Sequence, residues 1–224
     1  MGDLLCLCDS TDRHKRTMRN LKLAFPNLTT RKAKSMKRQV YRNLLCNLMA
    51  SFSLMRFLPD GEFMDKINLK GLDKLNGIPS DKSIIFVSGH FGCWEILGPV
   101  FNRLGYPVAV IARKRSNPYL GQYLKKLRLL GYEEIFPKRG AMRSVIRVLR
   151  NGISLGVLVD QDPRRDGIFV DFFGRPASTV PSPAKLSVAT GMPIVMVYAL
   201  KVGEKLNFEV GVKEVIWPRD VSKG

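Results

Sequence analysis

The sequence predicts an α/β fold: a mainly parallel, mostly buried sheet with flanking helices, preceded by a long amphipathic helix. Three observations carry this. Short apolar runs alternate with roughly 10–15-residue stretches of helical spacing, the pattern of βαβ units. The runs are apolar at successive positions, as strands covered on both faces are. The residues before Pro59-Asp60-Gly61 are instead helical in spacing and basic in their first half. These features divide the chain into a basic, amphipathic helical segment at 1–60 and an α/β domain at 61–224.

The elements follow in order. A helix is expected from Thr30 to Leu58, where Leu45, Met49, Phe52 and Met55 fall on one stripe. It reads either as a core helix or as one lying at a membrane interface. SIIFVS (83–88) is a strand, and 91–105 has helical spacing through Phe91, Trp94, Leu97 and Phe101. PVAVIA (107–112) is a strand, 117–131 a helix and 133–137 a short strand. Residues 141–152 form a helix stopped by Asn151-Gly152, and 154–160 a third long apolar strand. A helix over 181–191 has Pro near its start and Gly at its end. Strands at 193–200 and 205–217 close the chain.

The chain has 224 residues and a formal net charge of +18. Residues 1–50 hold 11 Lys/Arg against 3 Asp, and residues 103–150 hold 12 Lys/Arg against 2 Glu. All other residues balance, so two blocks carry the whole excess. Such a field attracts a polyanion, whether nucleic acid, an anionic bilayer or an acidic substrate. No zinc-finger spacing, aromatic RNA-binding motif or basic zipper accompanies the charge, so nucleic acid is not the expected partner. Four cysteines in this length make no disulfide framework. Cys6-x-Cys8 with His14 is a weak metal pattern, and no metal is expected.

In parallel sheets, ligands bind outside the carboxyl ends of the strands. There the sequence places SGHFGCWE, ARKRSNP and VDQDPRRDG. His90 and Glu95 are five residues apart, about 140° on a continuous helix, so they share no helical face. They meet only if His90 lies in the strand–helix loop and Glu95 in the first helical turns. A carboxylate on one imidazole nitrogen would fix the tautomer and raise the basicity of the other. On spacing alone, a lone His with a Glu is more often a structural pair.

His-x4-Glu at a strand–helix junction resembles the H-x4-D/E motif of glycerolipid acyltransferases. SGHFGCWEILG more specifically resembles the lipid A lauroyl/myristoyl acyltransferase family. RNLKLAFPNLTTRKAKSMKRQVYRNL, ARKRSNPYL, IFPKRGAMRSVIRVLRNG and the block opening with LVDQDPRRDG resemble further family segments in the same order, over roughly residues 17–218. Relative to that family, the chain is expected to lack a hydrophobic N-terminal anchor and a Trp/His/Arg-rich C-terminal segment.

The resemblance implies an enzyme that moves a fatty acyl chain from an acyl carrier protein or coenzyme A thioester to a hydroxyl of a lipid A precursor. Another lipid acceptor is the alternative: a phosphoinositide mannoside, an ornithine lipid or a lysophospholipid. His90 would be the general base and Glu95 the residue that orients it. Both are expected to tolerate alanine with loss of activity and little change in melting temperature. Arg113, at the end of the second strand, is the first candidate for binding phosphate or phosphopantetheine. Arg128 matches a basic position of the family and is the second. Asp160 matches the acidic position of its closing block and would hold an arginine or the acceptor sugar, with Asp162 as a weaker alternative. The implied partners are acyl carrier protein and an anionic membrane surface. The implied place is the cytoplasmic face of a bacterial inner membrane. No cofactor is expected.

Overall fold

The structure, a computed structural model, describes residues 12–57, 60–112, 118–137, 140–163 and 166–218. The chain forms two compact units, Met1–Met49 and Ala50–Gly224. The first contains α1 (Asp12–Ala24) and the start of α2 (Thr30–Phe57). Within it, Thr17 Oγ1 meets the Tyr41 hydroxyl at 3.0 Å, and His14 Nε2 contacts the ammonium of the buried Lys37. Helix α1 is an addition to the elements expected from the sequence, where its strongly basic composition and few apolar residues give little signal.

The second unit holds α3 (Asp60–Asp65), β1 (Ile67–Lys70), β2 (Ile85–Ser88), α4 (Leu97–Arg103), β3 (Val108–Ala112), α5 (Pro118–Arg128) and β4 (Glu134–Pro137). It continues with α6 (Met142–Arg150), β5 (Ser154–Leu158), β6 (Ile168–Phe172), β7 (Arg175–Thr179), α7 (Ser182–Thr190), β8 (Ile194–Val202) and β9 (Asn207–Ile216). Seven of these strands form one sheet in the order β1-β9-β8-β2-β5-β3-β4. From β8 through β4 every pairing is parallel, while β9 runs antiparallel to β8 and parallel to β1. The mainly parallel α/β class is therefore as the sequence indicates.

Continuous apolar runs make sense once both faces are covered. Along β2 and the residue before it, Ile84 and Phe86 enter one core, and Ile85 and Val87 the other. The first core brings in Leu97, Val100 and Phe101 of α4 with Ala50, Leu54 and Met55 of α2. Phe86 stacks on Phe101 with ring centroids 4.3 Å apart. The second core brings in Val145, Val148 and Leu149 of α6 and Leu186 of α7. The entry to β2 is pinned by buried polar groups: Ser83 Oγ donates to Leu149 O at 2.7 Å, and Ser154 Oγ accepts from Ile84 N–H at 3.1 Å. The central strand is thus tied at its start and walled on both faces, which fixes where its carboxyl end points.

The helical run expected over 91–105 begins later and tighter. Residues 89–93 form a turn, and Trp94–Ile96 a single 3₁₀ turn that leads into α4. The short hairpin β6–β7 was not foreseen either, and it pairs with no strand of the main sheet.

Candidate active site

Ser88 at the end of β2 is the register partner of Leu158 at the end of β5. Val159 N–H then donates to Ser88 O at 3.0 Å, one step beyond the sheet. His90 and Asp160 consequently leave the sheet side by side, each two residues past its strand. Asp160 Oδ2 accepts the backbone N–H of His90 at 2.8 Å, and Oδ1 stands 2.7 Å from His90 Nδ1. Gly89 makes this approach possible. A Cβ there would lie 3.1 Å from the Phe91 ring and 3.4 Å from the Asp160 carboxyl.

The tautomer follows from the partner. An ionised carboxylate only accepts, so Nδ1 carries the hydrogen and the lone pair is on Nε2. Gln161 Nε2 lies 3.4 Å from that nitrogen, a loose contact, and the Trp94 ring flanks the imidazole edge-on at 5.3 Å. The His90 side chain keeps 34% of its surface exposed, so a substrate can reach Nε2. Partial burial acts to raise the Asp160 pKa, but the hydrogen bonds it accepts from the His90 ring and backbone outweigh this. The carboxyl is held below the usual carboxylate value. Asp160 therefore remains ionised, as an acceptor for Nδ1–H must. A His with one nitrogen anchored on a carboxylate and the other open is equipped for general-base work.

This geometry corrects the expectation that Glu95 orients His90, because the Nδ1 contact belongs to Asp160. Glu95 is 4% exposed, on the 3₁₀ turn. Arg128 grips it with both prongs: Nε donates to Oε2 at 3.0 Å and the second guanidinium nitrogen to Oε1. The hydrogen bond to Glu95 raises the Arg128 pKa further. The Tyr132 hydroxyl donates to Glu95 O at 3.3 Å, and burial pushes its pKa well above the ordinary phenol value. Tyr132 fits there because a Cβ on Gly98 would fall 2.0 Å from its ring. The turn through Gly92 decides the outcome. Its φ is +58°, and the chain reverses so that the Glu95 side chain goes inward.

Gly92 is also wedged against the sheet. A Cβ there would stand 2.0 Å from Ala199 O, the carbonyl that accepts Cys93 N–H at 2.8 Å. Gly92→Ala is expected to cost about 2 kcal/mol or more, through the left-handed φ and the clash together. Thermal unfolding checks this. Cys93 itself is 1% exposed, as a small core side chain. Burial raises its thiol pKa, which suits packing rather than nucleophilic work.

Of the remaining candidates, Arg113, Cys6 and Cys8 lie outside the described residues. Arg128 is in the site's wall, its guanidinium engaged by Glu95. Gln161 was not singled out from the sequence, and its only signal there is its place directly after Asp160. Among the described residues, no group of three or more His, Cys, Asp or Glu could hold a metal ion. Among them also, no helix is long and apolar enough to cross a membrane.

The family model described as bacterial lipid A biosynthesis acyltransferase matches residues 6–213, nearly the whole chain. The chain belongs to this family. Among curated proteins, it is similar to a phosphatidylinositol mannoside acyltransferase of Mycobacterium tuberculosis (strain CDC 1551 / Oshkosh). The two are 28% identical over 153 residues, 66% of this chain and 48% of the relative. It is also similar to a phosphatidylinositol mannoside acyltransferase of Mycolicibacterium smegmatis, at 24% identity over 155 residues, 67% of this chain and 50% of the relative. The chain spans about half the length of the curated relatives it matches. Within the lipid A acyltransferase family, the site described here pairs an exposed His90 with Asp160 and buries Glu95 with Arg128 behind it.

Proposed function

We propose that this member of the lipid A acyltransferase family transfers a fatty acyl chain from a thioester to a hydroxyl of a phosphate-bearing glycolipid. The observation that carries the reading is the anchored imidazole: Nδ1 on Asp160, and Nε2 on a partly exposed ring with only a loose contact to Gln161, at the carboxyl end of the parallel sheet. His90 Nε2 takes the proton from the acceptor hydroxyl as its oxygen attacks the thioester carbonyl. The tetrahedral intermediate collapses, the carbon–sulfur bond breaks, and the departing thiolate recovers the proton from the imidazolium. The products are an ester and a free thiol, and no acyl-enzyme is formed. Asp160 holds the ring and stabilises the imidazolium. Glu95 and Arg128 act from behind, holding the turn that carries His90.

Acyl carrier protein is the donor this reading favours. It is acidic, and the basic block at 103–150 supplies Lys125, Lys126, Arg143, Arg147 and Arg150 as complementary charge. The family description supports a lipid A precursor as acceptor. The curated relatives support a second reading, in which the acceptor is a phosphatidylinositol mannoside. Membrane association at the cytoplasmic face of an inner membrane belongs to both.

The test supplies labelled acyl-carrier-protein thioester with each acceptor in detergent micelles and reads products by mass spectrometry. An acceptor-dependent gain of one acyl chain, absent in His90→Ala, supports the reading and selects the acceptor. Donor turnover without product on either glycolipid overturns the substrate assignment. No donor consumption by the folded protein overturns the reaction.

A further inference from the structure

The hairpin β6–β7 stands outside the main sheet, yet it carries five exposed large apolar residues within six positions. Phe169 is 75% exposed and Phe172 65%, and Ile168, Val170 and Phe173 are exposed as well. The register puts Ile168, Val170 and Phe172 on one face with Thr179, Ala177 and Arg175. Phe169 and Asp171 lie on the other, opposite Ser178 and Pro176. The two-residue turn is Phe173-Gly174, with φ of +56° and +67°. Asn or Gly is the usual choice at the first of these positions. Phe173 is the described non-glycine residue that accepts the left-handed region, and its ring meets Phe172 edge-on at 4.8 Å. Phe172 and Phe173 thus form an aromatic tip that is more than half exposed, at the end of a ribbon with further apolar side chains on both faces.

We propose that the β6–β7 hairpin is an interfacial wedge, seating its aromatic tip in the headgroup–acyl boundary of an anionic bilayer. Exposure on both faces selects this occupant, since a folded partner covers one face of a ribbon whereas a bilayer surrounds its end. Charge agrees: the second unit carries 26 Lys/Arg against 16 Asp/Glu, and Arg175 sits opposite Phe172, placed to reach phosphate as the ring goes deeper. Depth is limited. A two-stranded ribbon leaves its outer backbone groups unpaired, which hydrocarbon does not tolerate, and Asp171 lies one residue from the tip. The hairpin begins eight residues after Asp160 in the chain. Delivery of a lipid hydroxyl to His90 from the same surface rests on the acyl-transfer reading, whereas the docking itself does not.

The test compares the protein with Phe172→Thr/Phe173→Asn in sedimentation with phosphatidylglycerol–phosphatidylcholine vesicles. Asn accepts the left-handed turn and Thr suits a strand, so the hairpin is kept and its melting temperature is not lowered. The expected result is a loss of roughly tenfold or more in vesicle affinity. Transfer in detergent micelles, where no bilayer is present, stays at the parent rate. In parallel, Phe172→Trp should show blue-shifted emission on vesicles and quenching by brominated acyl chains. Unchanged affinity, or a tryptophan that stays in water, overturns the proposal. So does a protein that dimerises without lipid through this tip and binds vesicles equally well when the tip is changed. If micelles support no transfer by the parent protein, the enzymatic reading fails while the vesicle result still decides the wedge.

Discussion

His90→Ala is expected to lower acyl transfer by roughly 10²–10⁴-fold, the usual worth of a positioned general base, and to leave the melting temperature nearly unchanged. The side chain is partly exposed and contributes little to either core, so its loss opens no cavity. Asp160→Asn should follow it in activity, because an amide can donate to Nδ1 and so favours the wrong tautomer. The pH dependence has a defined sign. The folded-state pKa of Asp160 is lowered by His90, so its contribution to stability is present above the unfolded value. That contribution is lost as pH falls through the lower folded value, below roughly pH 4. Acid unfolding of Asp160→Asn against the parent, followed by circular dichroism, checks this.

Glu95→Ala behaves differently. It leaves the Arg128 guanidinium, whose side chain is 18% exposed, without its bidentate partner. Breaking such a buried pair from one side costs about 3 kcal/mol or more. For a unit of this size that is a fall of roughly 6–12 °C in melting temperature. Activity is lost with the fold, through displacement of the turn that carries His90. Replacing both members, Glu95→Leu with Arg128→Met, should recover much of the stability, since the desolvation of two charges disappears with them. A Glu95→Ala protein of parent stability and no activity would return Glu95 to a direct catalytic role.

The contrast between Asp160 and Glu95 shows what the sequence could disclose. Apolar runs at 83–88, 107–112 and 154–160 mark the strands β2, β3 and β5, and His90 and Asp160 meet just past the carboxyl ends of β2 and β5. Which ends are neighbours depends on strand order. β2 lies beside β5, 66 residues on from β2's end, and no local pattern encodes that pairing. Asp160 was therefore visible as a candidate but not as the partner of His90. Glu95 differs from its expected position beside His90, because the spacing after β2 reads as helical from Phe91. A left-handed Gly92 and a 3₁₀ turn intervene, and they rotate the carboxylate into the core. The hairpin escaped notice because its strands are five residues each and neither face alternates cleanly. Its Phe173-Gly174 turn carries an aromatic where turn chemistry favours Asn. Helix α7, with Pro183 near its start and Gly191 at φ +71° beyond its end, was legible because its punctuation is local.

The most direct measurement is the tautomer of His90. The sequence holds two histidines, so a His14→Gln protein has a single imidazole to observe. Its ring nitrogens, labelled with nitrogen-15, can be read by NMR near neutral pH. A hydrogen on Nδ1 and a free lone pair on Nε2 are expected, with that preference lost in Asp160→Asn. A hydrogen on Nε2 in the parent protein would contradict it, since the nitrogen assigned to take the substrate proton would already carry one.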